Sequence, residues 1–129
     1  MIQPGAIFEV PHALADPPQV ARQSNPPART SRWLLVVSNK ADCRDRHQET
    51  ITVVLLSAQI EYQDRHDVLV RRPDGGLERD SIAQTDLVIT ILRTELGDER
   101  FHGIVLRDTL RQVRAKLAET LGISGYEIG

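Results

Sequence analysis

The chain predicts a mostly β domain with some α content, a small sheet of curved antiparallel strands closed into a barrel and followed by one C-terminal helix. Three observations carry that expectation. Apolar, β-branched runs of five or six residues recur at 5–10, 33–37, 51–56 and 87–91, each bounded by polar residues and too short for a helix. An Asp-Gly-Gly sequence at 74–76 supplies a strong turn between two further strand-like segments. Only near the C-terminus does the apolar spacing change to steps of three and four.

Residues 5–10 read as a short first strand. The stretch 11–31 contains Pro17-Pro18 and Pro26-Pro27, has no periodicity, and is expected to be a long Pro-rich loop, of the kind that often serves a site. The runs at 33–37 and 51–56 are apolar on both faces, which suits central strands of a covered or closed sheet. Residues 39–49 between them are polar and charged and read as a surface connection. Residues 66–71 form the next strand. They lead through Pro73-Asp74-Gly75-Gly76 into a returning segment at 77–83, and 87–91 follows as a separate strand. Leu106, Leu110, Val113, Leu117 and Leu121 mark one face of the closing helix, which Asp108 is expected to cap and Gly122 to end. Barrel closure is the natural end state, because it removes exposed strand edges.

At 129 residues the chain is expected to form a single domain over 1–129. Only 4% of it is aromatic, so the core must be aliphatic. With one cysteine, Cys43, there is no internal disulfide framework, and a cytoplasmic setting is expected. Met1 to Pro4 lacks the basic start of a signal peptide, and no apolar run reaches membrane-spanning length, so no membrane association is expected. A net charge of −2 argues against indiscriminate nucleic-acid binding. The charge is unevenly spread, however. Arg22, Arg29, Arg32, Lys40, Arg44 and Arg46 against Asp42 and Asp45 give residues 22–46 a net +4. Such a stripe can serve an anion, or be solvated loop charge.

No P-loop, dinucleotide fingerprint, H-E-x-x-H or Cys-x-x-Cys is present, and His12, His47, His66 and His102 are scattered. No metal site and no cofactor are therefore expected. Cys43, in a charged loop without a motif, reads as a surface or structural thiol. The chemistry must come from strand ends. Arg32 opens one apolar run, and its guanidinium can donate two parallel hydrogen bonds to a phosphate or hold an ordinary ion pair. Ser57 closes the next run, where its hydroxyl can donate to a phosphate oxygen or bond the backbone. Asp86, before the run at 87–91, can accept a proton, orient Arg32 or simply shape a turn.

In order and spacing, the segments 5–8, 32–37, 55–60, 76–83 and 86–91, together with the closing helix, resemble the MazF/PemK family of toxin endoribonucleases. The resemblance leaves out the Pro-rich loop and residues 97–103. It implies an SH3-like β-barrel with a C-terminal helix, usually homodimeric. It also implies metal-independent cleavage of single-stranded RNA, such as mRNA, and inhibition by an antitoxin protein whose disordered tail lies across the RNA groove. The family's catalytic arginine matches Arg32, with Trp33 in place of the usual proline. Its catalytic threonine matches Ser57, and an aspartate implicated in PemK-type members matches Asp86. Arg29, Trp33, Gln59 and Arg79 are the expected RNA contacts, although the place of Trp33 in its strand favours a core residue over a base-stacking one. The implied mechanism is attack of the 2'-OH on the adjacent phosphorus, with Arg32 and Ser57 gaining strength as charge grows on the phosphoryl oxygens. A guanidinium is a poor base, so Asp86 is the chemically easier acceptor of the 2'-OH proton, ahead of Glu61 and His66. The chain departs from the family at Ala6 and Ile89 and in the approach to Arg32. Two other readings stand beside it: a non-catalytic nucleic-acid- or protein-binding member of the same fold, and a topoisomerase-inhibiting toxin using the tail at 122–129.

Overall fold

A computed structural model describes residues 1–11, Leu14 and 31–123. The expected Pro-rich loop at 11–31 and the tail beyond 123 therefore lie almost entirely outside the described residues. The apolar runs become strands β1 (Ala6–Pro11), β2 (Ser31–Val36) and β3 (Thr50–Ser57). They are followed by β4 (Asp67–Val70), β5 (Ser81–Leu92) and β6 (Phe101–Ile104). Among the described residues two α-helices, α1 (Lys40–Arg44) and α2 (Arg107–Leu121), accompany the strands. One six-stranded antiparallel sheet in the order β4-β5-β3-β2-β1-β6 curls into a half-barrel with α2 against it.

Both faces of the sheet are buried, as the continuous apolar runs require. On one face Phe8, Val10, Leu34, Val36, Ile51, Val53 and Leu55 pack with Leu87, Ile91, Leu96 and Cys43. On the other, Ile7, Leu35, Val54, Leu56, Val68, Val70 and Ala83 pack with Val113, Leu110 and Leu117 of α2. Strand alternation sorts neighbouring residues onto opposite faces, so β2 sends Leu34 to one core and Leu35 to the other. Removing a large aliphatic side chain of this kind from water is worth about 1.5–3 kcal/mol. Among the described residues no helix is long and apolar enough to cross a membrane.

The structure corrects several local expectations. The strands expected at 77–83 and 87–91 are one strand, β5. Its pairing with β3 runs Leu55↔Gln84 on one side of a register break and Val54↔Val88 on the other. Thr85 and Asp86 sit with Leu87 in a bulge, not in the turn that was one of the readings open for Asp86, and the bulge lets one strand bend with the barrel. The β4–β5 hairpin forms, but Asp74–Gly76 is a 3₁₀ turn inside a longer connection rather than a tight turn. The connection at 39–49 holds helix α1, capped where the Asn39 side chain accepts from Asp42 N at 2.8 Å. That helix turns Cys43 inward, where burial pushes its thiol pKa up. Strand β6, which pairs with β1, begins within residues 97–103, the segment that the resemblance left out.

Helix α2 also differs in how it starts. Asp108 lies inside the first turn and accepts from Gln112, and Leu106 at the cap position offers no side-chain bond. Asp74 does the capping from the β4–β5 connection, accepting from Leu106 N at 2.8 Å and from the Thr109 hydroxyl. Asp74→Ala should therefore cost about 1–2 kcal/mol and lower the thermal midpoint by several degrees, whereas Asp108→Ala stays within about 0.5 kcal/mol. Paired melting curves check this, and equal effects would return the cap to Asp108. Gly122 ends the helix as expected, in the left-handed conformation at φ 73°.

Candidate functional site

Arg32 and Ser57 come together because two adjacent strands run antiparallel in a fixed register. Trp33 pairs with Leu56, and the same register continued by one step sets Arg32 across from Ser57. Directly opposed residues on an antiparallel pair have Cβ atoms about 4.5–5.5 Å apart and share a face. Alternation puts both on the face of Leu34, Val36, Val53 and Leu55. Both are buried, Arg32 to 2% exposure and Ser57 to 5%. On its other side Arg32 is paired with Val10 of β1, so an apolar wall borders the guanidinium's strand position.

The Ser57 oxygen accepts from the backbone N–H of Gln59 at 3.2 Å. That bond satisfies one lone pair and leaves the hydroxyl proton to donate elsewhere. Gln59 is thus half-buried in the turn directly after Ser57, where its backbone N–H steadies the hydroxyl. An arginine and a serine at opposed, buried strand positions are residue types suited to an anionic oxygen. Fixed donors act more strongly there than in water.

The other expected residues lie elsewhere. Asp86 is exposed in the β5 bulge, opposite the Val54–Leu55 step. That step lies two to three residues before Ser57 along β3, hence roughly 7–10 Å away along the strand. Trp33, one residue on from Arg32, points to the opposite face. Its indole stacks on the His102 ring at 3.9 Å between centroids and 26° between planes. It lines a cleft of about 230 Å³ with Leu56, Ala58, Leu77, Glu78, Arg79 and Ser81. Arg79 is exposed on that cleft. Arg29 lies outside the described residues. Of the expected set, the fold therefore pairs Arg32 with Ser57 and Trp33 with Arg79, on opposite faces of β2 and β3.

Three features were not anticipated from the sequence. His102 hydrogen-bonds Glu9 at 3.0 Å, and the other oxygen of Glu9 accepts from the Ser31 hydroxyl at 2.6 Å, so a polar chain braces the Trp33 stack. The third is Gln84, buried on the Arg32–Ser57 face opposite Leu55. Gln84 adjoins the polar pair Thr85-Asp86, so the sequence carried no separate signal for it. Among the described residues no three His, Cys, Asp or Glu side chains converge as metal ligands would.

Comparison with known proteins places this arrangement in context. A family model described as PemK-like, MazF-like toxin of type II toxin-antitoxin system matches residues 7–121. No curated protein matches the chain. Among solved structures, an endoribonuclease from a mycobacterial species is 21% identical with a TM-score of 0.66, covering 94% of this chain and 91% of that one. The structure of a mycobacterial endoribonuclease with its cognate antitoxin is 21% identical with a TM-score of 0.63, covering 95% and 94%. MazF from Deinococcus radiodurans is 16% identical with a TM-score of 0.67, covering 95% and 99%. At these identities the structural likeness speaks to the fold.

Proposed function

We propose, from the premise that the chain belongs to the PemK-like, MazF-like toxin family of type II toxin–antitoxin systems, that it is an endoribonuclease that cuts single-stranded RNA with the ribose 2'-OH as nucleophile. The observation that supports this reading is the buried Arg32–Ser57 pair on one sheet face. Arg32 would hold two non-bridging phosphate oxygens through its forked donors, and Ser57 would donate to one of them. The 2'-oxygen bonds to phosphorus as the bond to the 5'-oxygen breaks, leaving a 2',3'-cyclic phosphate and a 5'-hydroxyl. The 2'-OH proton goes to a base, proposed to be the Asp86 carboxylate, which at its place in the bulge would act through a water, and the departing 5'-oxygen takes up a proton from solvent. Negative charge accumulates on the oxygens that Arg32 and Ser57 hold, so both contacts favour the transition state over the bound substrate.

Trp33 and Arg79, on the cleft across the sheet, would take a flanking nucleotide. The indole offers a base the face that His102 does not occupy. Arg29 and Gln59 complete the proposed RNA contacts. The mycobacterial relative solved with its cognate antitoxin supports an antitoxin as this chain's regulator, and the family supports a cytoplasmic homodimer. Because Arg32, Ser57 and Gln84 are all under 6% exposed, RNA reaches them only when that row is uncovered.

The test is incubation of the purified protein with mixed-sequence RNA in EDTA. Discrete fragments ending in 2',3'-cyclic phosphate are expected, with DNA of the same sequences uncut for want of a 2'-OH. Intact RNA at high protein concentration would overturn the reading, and RNA bound but uncut would favour a non-catalytic member of the family.

A further inference from the structure

We propose that Gln84 determines sequence specificity, its side-chain amide reading the edge of the nucleobase next to the scissile phosphate. The proposal rests on the endoribonuclease reading above and extends it to base recognition. Gln84 of β5 pairs with Leu55 of β3 and with Asp67 of β4. Leu55 and Ser57 share a face, so Gln84 is the diagonal neighbour of Ser57, with Cβ atoms roughly 7–8 Å apart. It is 1% exposed, and among the described residues neither its Oε1 nor its Nε2 has a hydrogen-bond partner.

An amide buried without partners costs stability. The buried polar neighbours are bonded, Asp67 across from it accepting from Asp64 N and Thr85 beside it bonding His66 O and the Thr120 hydroxyl, whereas Gln84 bonds neither. A leucine or methionine would fill the same space at no such cost. Gln84 therefore makes sense if its partners arrive with a ligand, and its chemistry narrows what the ligand is. A phosphate offers only acceptors and would leave Oε1 unsatisfied or repelled. A lone 2'-OH would satisfy one of the two groups at best. A base edge presents a donor beside an acceptor, the pattern that a carboxamide matches with two bonds. The diagonal distance from Ser57 is about what separates a phosphodiester from the edge of its own nucleotide's base.

The experiment measures wild type, Gln84→Leu and Gln84→Glu on oligoribonucleotides that vary the bases flanking the cut, with a melting curve for each protein. For Gln84→Leu the expected result is a loss of roughly ten- to hundredfold in kcat/KM on the preferred sequence and a flattened preference at one position. Its thermal midpoint should be equal or higher, since an unpartnered polar group has been removed. Gln84→Glu offers acceptors only, so preference should move toward a base with adjacent donors, such as the N1–H and N2–H of guanine. Unchanged rate and preference in both variants would overturn the proposal. So would a lowered midpoint in Gln84→Leu with cleavage reduced equally on every sequence, which marks a structural role. If wild type cuts no RNA, the function reading itself fails and takes this one with it; an active wild type with indifferent variants sinks the Gln84 assignment alone.

Discussion

Arg32→Ala is expected to lower the RNA cleavage rate about 10²–10³-fold, the usual consequence of deleting one fixed donor to a developing oxyanion. The loss should fall mainly on kcat, because the guanidinium's contacts strengthen as charge moves onto the phosphoryl oxygens. RNA affinity should change far less, since many phosphates share the electrostatic attraction. Arg32 is almost completely buried between Val10 and the Ser57 position, so alanine also leaves a void there. Two controls separate the effects. A melting curve reports the packing loss, and Arg32→Lys keeps charge and most of the volume while losing the two-pronged geometry. A lysine variant as stable as wild type but still strongly impaired would assign the effect to the fork. Wild-type cleavage by Arg32→Ala would remove Arg32 from the chemistry altogether.

The pairing of Arg32 with Ser57 was legible in the sequence because it needs only two adjacent antiparallel strands with polar groups at the matching ends. The separation of Trp33 from Arg32 follows from the two-residue period of a strand, which puts neighbours on opposite faces. Asp86 was harder to place. A polar interruption between two apolar runs reads equally as a turn or as a bulge, and here the chain stays in one strand that gains three residues against β3. Gln84 directly precedes that interruption, where a polar residue needs no special explanation, and only its burial sets it apart.

Strand existence was largely readable from apolar runs, and the helix from its spacing. What the sequence hid were features set by distant contacts. β6 has little apolar pattern of its own (Phe101-His102-Gly103-Ile104) and is a strand because β1 offers it an edge. The helix cap comes from Asp74, some thirty residues upstream of the bond it accepts, and no local signature announces a cap that arrives across the fold. The charged neighbours of Cys43 leave a surface and a structural thiol equally open, and one turn of helix decides for the second by pointing a single residue of the segment inward.

Gly76→Ala is expected to be the most damaging single substitution to the fold, costing about 3 kcal/mol or more and lowering the thermal midpoint by roughly 10 °C or more. Gly76 has φ +78°, where a side chain costs about 1–2 kcal/mol. A Cβ there would also stand 2.2 Å from the His102 carbonyl oxygen. The obstacle is backbone, in the strand paired with β1, so it cannot swing aside as a side chain would. This contact is where the β4–β5 connection meets β6, the far side of the curled sheet, and Gly103 repeats the close approach against Gly75. Forcing the two apart would also displace the ring of His102 from Trp33 and loosen its bond to Glu9. Gly122→Ala provides the reference: the same left-handed conformation at φ +73°, with nothing within 4 Å of an added Cβ, so only the conformational cost applies. Denaturant unfolding of the two variants measures the difference. If they lose equal stability, the backbone approach at Gly76 is not what holds the barrel's two sides together.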